Sequence, residues 1–109
     1  MLWTEAEIDE LITKVQRDFT LGMTKPEFWL KLQNHGISRH LAEKAISKKS
    51  YIIEYDHHGP TIGFLDPRNN VFCAWKSDYP TQVKTCFVVD RGLDYLKRQY
   101  DVKLIWRPR

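Results

Sequence analysis

Four histidines, the Lys84-Thr85 pair and two cysteines are the side chains of this sequence singled out for proton-transfer, phosphate or metal chemistry near neutral pH. His35 and His40 bracket a turn containing Gly36, and both could reach a sheet edge where Lys84 and Thr85 emerge. There the histidines would move protons and Lys84 would contact a phosphate. The alternative is structural for each: His35 closes a helix at its negative C-terminal end, and His40 is an exposed first-turn residue. Thr85 then serves as a β-former on the mainly apolar side of its strand. His57 and His58 precede Gly59-Pro60 in a loop, where an adjacent pair could bind a transition metal or grip a phosphate. Neighbours in extended chain point to opposite sides, and a solvated loop is the plainer reading. Cys73 and Cys86 lack CxxC spacing and read as reduced, half-buried strand residues, implying a reducing compartment. No metal and no other cofactor is expected.

These residues must be positioned by elements that the sequence marks clearly. Thr4 and Glu7 form a capping box, and Ile8, Leu11, Ile12, Val15 and Phe19 recur at helical spacing, so residues 5 to 20 are predicted to be an amphipathic helix ending at Gly22. Thr24, Pro26 and Glu27 start a second helix that Gly36 closes after His35. Ser38 caps a third, with Leu41, Ala42, Ala45 and Ile46 as its buried stripe. From Tyr51 the pattern becomes that of antiparallel strands: 51 to 56, 61 to 65, 71 to 76 and 82 to 89. The second turn is Asp66-Pro67-Arg68-Asn69-Asn70, and a polar turn around 77 to 81 precedes the fourth strand. A helix over 91 to 100 and a strand over 102 to 107 complete the chain. The expected fold is α+β: one domain over 1–109, with a helical part (1–50) and a sheet part with one helix (51–109). An N-terminal three-helix segment packs on a twisted antiparallel meander, leaving the other sheet face free for a ligand.

Composition agrees with one globular domain: 109 residues, 42% apolar and 28% charged, with fourteen aromatic residues to fill a core. No apolar run approaches the roughly 18 residues of a membrane-spanning helix, and the N-terminus, with Trp3 and an acidic run, does not read as a signal peptide. A membrane partner is not expected, and the site of action is expected to be cytoplasmic. The first 22 residues carry two bases and five acids, the remainder fifteen and nine. The body is therefore net basic, which favours phosphate-bearing partners.

The run Gly63-Phe64-Leu65-Asp66-Pro67-Arg68-Asn69-Asn70-Val71-Phe72-Cys73-Ala74, then Lys84-Thr85-Cys86-Phe87, then Gly92-Leu93-Asp94-Tyr95-Leu96-Lys97-Arg98-Gln99, resembles the C-terminal sheet of the barnase, colicin and RelE-like ribonuclease superfamily, in its contact-dependent-inhibition toxin or phage-associated branches. The resemblance spans about residues 35 to 107. It places Thr85 and Phe87 on the family's Thr-x-Phe strand and His35 or His40 near its helical histidine. It implies a metal-independent endoribonuclease, acting on RNA, tRNA included, and controlled by an acidic immunity protein or antitoxin. Departures from the pattern are the spacing of Lys31 and His35 and the additional strand over 102 to 107.

Metal-free RNA cleavage needs a base for the 2′-hydroxyl, an acid for the leaving oxygen and donors for phosphorane charge. His35 and His40 are the acid and base candidates, Lys84 and Thr85 the phosphate contacts, and Arg68 or Arg98 the partner of substrate charge. Trp75, Tyr79, Trp106 and Tyr55 are candidate base-stacking platforms, and Lys97, Arg98, Lys103, Arg107 and Arg109 form the candidate anion-binding surface. Aromatic strand residues are more often core, and charge runs more often solvated faces. Two other classes fit parts of the sequence. Residues 28 to 45 also read as a helix-turn-helix, offering Ser38, Arg39 and Lys44 to DNA with Glu43 against it. A small non-catalytic inhibitor or immunity-type module is the other, although a basic body suits a nucleic-acid mimic poorly.

Overall fold

A computed structural model of the chain describes residues 2–22, 32–34, 36–77, 83–89 and 92–108, with the side chains of 18–22 and 83–85 outside that description. The elements are α1 (Glu5–Gly22), α2 (Arg39–Ala45), β1 (Tyr51–Asp56), β2 (Pro60–Asp66), β3 (Val71–Lys76), β4 (Val83–Val88), α3 (Gly92–Gln99) and β5 (Lys103–Trp106). Residues 32–34 are also helical. The rest of the helix expected from Thr24 to His35 lies outside the described residues, as does the turn from 78 to 82.

Local chemistry explains the element ends. The Thr4 backbone N–H donates to Glu7 Oε1 (3.1 Å), and the Glu7 N–H donates back to Thr4 Oγ1 (3.3 Å), closing the capping box at the start of α1. Ser38 Oγ accepts the Leu41 N–H at 3.2 Å and starts α2. Between β2 and β3, Asp66 closes an Asx turn by accepting the Arg68 N–H at 2.9 Å, and Asn70 takes the left-handed φ of 55° that asparagine tolerates.

All five strands form one antiparallel sheet in the order β4-β3-β2-β1-β5. β4 and β5 are the two edges, and the Trp3 N–H donates to the Ile105 carbonyl (3.0 Å), tying the N-terminal segment to β5. On one face Ile8, Leu11, Ile12 and Val15 of α1 and Ala42 and Ala45 of α2 pack with Ile52, Ile62, Phe64, Val71, Cys73, Trp75, Cys86 and Ile105.

The second face is not free, contrary to expectation. Leu96 of α3 is buried there with Ile53, Tyr55, Leu65, Phe72, Ala74 and Val89, and Leu93, Tyr95, Tyr100 and Val102 pack against the same cluster. Topology is the reason. β4 and β5 lie at opposite edges, so the connection between them must traverse the sheet, and the apolar side of its amphipathic helix closes the face that α1 and α2 leave open. Gly63 lets the layer close tightly, since a Cβ there would lie 2.5 Å from the Phe72 ring.

Candidate functional site

The side chains proposed for chemistry fall into three groups once the fold is known. His40 lies in the first turn of α2 and is exposed. Two residues further on, the Ala42 carbonyl accepts from Cys73 Sγ at 3.7 Å, so α2 lies against β3. Cys73 is the register partner of Cys86, and Ala74 that of Thr85. This one contact therefore joins the helix bearing His40 to the strand pair bearing Lys84 and Thr85, whose side chains lie outside the described residues. His35 also lies outside them. An open cleft of about 450 Å³, lined by Gln33, Gly36, Ile37, Ser38 and Arg39, occupies the turn that His35 and His40 bracket in sequence.

The second group has structural occupations in place of the expected ones. Trp75 is 2% exposed, Trp106 5% and Tyr55 7%, so none offers a ring face on which a base could stack. Trp106 Nε1 donates to the Lys48 carbonyl at 3.0 Å, fixing β5 to the turn after α2. Trp75 has Lys14 Nζ of α1 at 5.7 Å from its ring centroid, and Tyr55 packs on Tyr100 at 4.9 Å between centroids. These strands are covered on both faces, which is why their aromatics are core. Tyr79, the fourth proposed platform, lies outside the described residues.

Arg68 likewise has a local role. Its Nε donates to Asp66 Oδ1 at 2.9 Å and its Nη2 to Asp66 Oδ2 at 3.0 Å, a bidentate pairing, and Nη2 also donates to the Lys44 carbonyl at 3.3 Å. Asp66 has no exposed surface. Burial pushes its carboxyl up, but hydrogen bonds from the Arg68 side chain, the Arg68 N–H and Asn69 outweigh that and hold it below the ordinary aspartate value. The Asp66-to-Asn70 motif is thus accounted for by turn formation and by anchoring the hairpin to α2. Sequence reasoning missed the burial of Asp66, although its position before Pro67 at a strand end is the signature of an Asx turn.

The third group is exposed and cationic: Lys97 and Arg98 in the last turn of α3, Lys103 on β5 and Arg107 just after it. Lys97 and Arg98 also complement the negative end of the helix dipole, and Lys103 stands opposite Glu54 in the β1–β5 register. Arg109 lies outside the described residues. His57 and His58 do not point apart. His58 has φ 57°, so the chain is not extended there, and the two rings lie 4.6 Å apart with His57 edge-on to Tyr100 at 5.3 Å. Among the described residues no group of three or more His, Cys, Asp or Glu side chains is arranged to hold a metal ion, and no helix is long and apolar enough to cross a membrane. Comparison of the chain with protein-family models, curated proteins and solved structures finds no match.

Proposed function

We propose that the chain is a small metal-independent endoribonuclease, with RNA, tRNA included, as its substrate and an acidic immunity protein or antitoxin as its regulator. The observation that carries this reading is the open cleft at Gly36 to Arg39, in the stretch of sequence between the two histidines and at the start of the helix that contacts β3. In the proposed reaction one histidine, His35 or His40, removes the 2′-hydroxyl proton and O2′ attacks the adjacent phosphorus. The other protonates the departing 5′-oxygen, so that the products are a 2′,3′-cyclic phosphate and a 5′-hydroxyl. Lys84 and Thr85 are assigned to the non-bridging oxygens, where donors stabilise the developing charge. Arg98, Lys97, Lys103 and Arg107 supply backbone attraction; Arg68, already paired with Asp66, is not included.

The helix-turn-helix reading gains no support from α2. Arg39 Nε is held by Glu43 Oε1 at 2.8 Å, and Ala42 and Ala45 are buried against the sheet. The discriminating experiment incubates the purified protein with total RNA in EDTA. Cleavage leaving 2′,3′-cyclic ends, absent on 2′-deoxy substrates, is expected. His40→Ala should lower the rate roughly 10²- to 10⁴-fold at unchanged Tm. A requirement for magnesium, or full activity in the His35→Ala/His40→Ala double variant, would remove the mechanism.

A further inference from the structure

Cys73 and Cys86 face each other across β3 and β4. They are register partners, each is 1% exposed, and their Sγ atoms lie 2.7 Å apart. The Val89 N–H donates to the Asn70 carbonyl (2.7 Å), which makes Asn70 and Val89 a hydrogen-bonded pair. Hydrogen-bonded and non-hydrogen-bonded pairs alternate along an antiparallel ladder, so Cys73 and Cys86, three positions along, form a non-hydrogen-bonded pair. In such pairs the Cα atoms approach to about 4.5 Å, which lies inside the 4.4–6.8 Å range that a disulfide spans. From the observed separation the two sulfurs need approach by only about 0.7 Å to reach bonding distance.

We propose that Cys73 and Cys86 are an oxidation site, closing an inter-strand disulfide that staples β4 to β3. With a low-molecular-weight disulfide as oxidant the step balances. One cysteine thiolate attacks the oxidant and releases one thiolate, and the second cysteine attacks the mixed disulfide and releases the other. Two electrons pass from the protein to the oxidant, and the two cysteine protons end on the two released thiols. Burial holds the Cys73 thiol well above its ordinary value, so thiolate is scarce while the sheet is closed. β4 is an edge strand, and peeling it from β3 exposes both sulfurs without disturbing the other three strand pairs. Oxidation therefore proceeds through the opened edge or before the edge has formed, and the closed bond holds that edge shut. The strand so fixed is the one that carries Lys84 and Thr85.

The test uses the reduced full-length chain with oxidised glutathione, followed by denaturation, alkylation with N-ethylmaleimide and intact mass measurement. Expected are a monomer lighter by two hydrogens with no alkylation, a cross-linked peptide pair containing Cys73 and Cys86, and recovery of two thiols with dithiothreitol. The oxidised protein should melt roughly 5–15 °C above the reduced one. Cys86→Ser, with one thiol, should stop at a single glutathione adduct; the wild-type mass and melting measurements stand without that variant. Two alkylatable thiols at oxidant levels that close a small reference dithiol, accumulation of glutathione adducts or disulfide-linked dimers on the wild type, or a lower Tm after closure would overturn the proposal.

Discussion

A carboxylate with no exposed surface stays charged only if its surroundings replace the water it has lost, and Asp66 does so through Arg68 and Asn69. Because the folded carboxyl titrates below its ordinary value of 3.8, its contribution to stability is complete above that pH and is lost as pH falls through the folded value. Asp66→Asn should cost roughly 1.5–3 kcal/mol at pH 7, since hydrogen bonds to a charged group are replaced by amide contacts. The difference from wild type should shrink below about pH 4. Urea denaturation at several pH values checks both, and a difference constant from pH 7 to pH 2 would show that the charge is not what matters. The turn itself was legible from Asp66, Pro67 and the asparagines. The occupation of Arg68 was not, because its Lys44 contact lies on another element 24 positions away.

Strand and helix positions followed from capping residues and periodicity. The coverage of the sheet required reading β2 and β3 differently. Their sequences, PTIGFLD and VFCAWK, carry nearly unbroken apolar runs, and every residue from Thr61 to Asp66 and from Val71 to Trp75 is buried. Such runs belong to strands with both faces covered, whereas a ligand-binding face would show polar residues at alternate positions. Two-sided burial also accounts for Trp75, which no one-sided packing scheme separates from a stacking platform. Leu96 is the centre of the covering layer and is fully buried. Leu96→Ala should therefore cost roughly 2–5 kcal/mol, seen as a lower urea midpoint at unchanged slope. A loss below about 1 kcal/mol would mean that α3 does not close this face.

Charge is a property of the whole molecule. The acidic α1 is partly neutralised within the fold, since Lys48 Nζ reaches Glu5 at 3.1 Å and Asp9 at 2.9 Å. These hydrogen bonds, to Asp9 first and then Glu5, hold the Lys48 ammonium above its ordinary value. The cations between Lys97 and Arg107 are exposed at the C-terminal end of the chain, so a polyanion would meet them at α3 and β5. The sequence made this asymmetry plain, because charge counts need no fold, but only the structure separates these residues from Arg68, whose guanidinium is paired with Asp66 and the Lys44 carbonyl. Alanine at Lys97, Lys103 and Arg107 should leave the core intact and act through counterion release. For a single-stranded RNA oligomer the slope of log K against log salt should become shallower by about 0.7 for each phosphate that a variant no longer neutralises. Arg68→Ala should instead lower Tm, through the unpaired Asp66, with the salt slope unchanged. If the three surface variants bind with the wild-type slope while Arg68→Ala reduces it, the polyanion is held at the β2–β3 hairpin, and the C-terminal cations serve only to solvate their face.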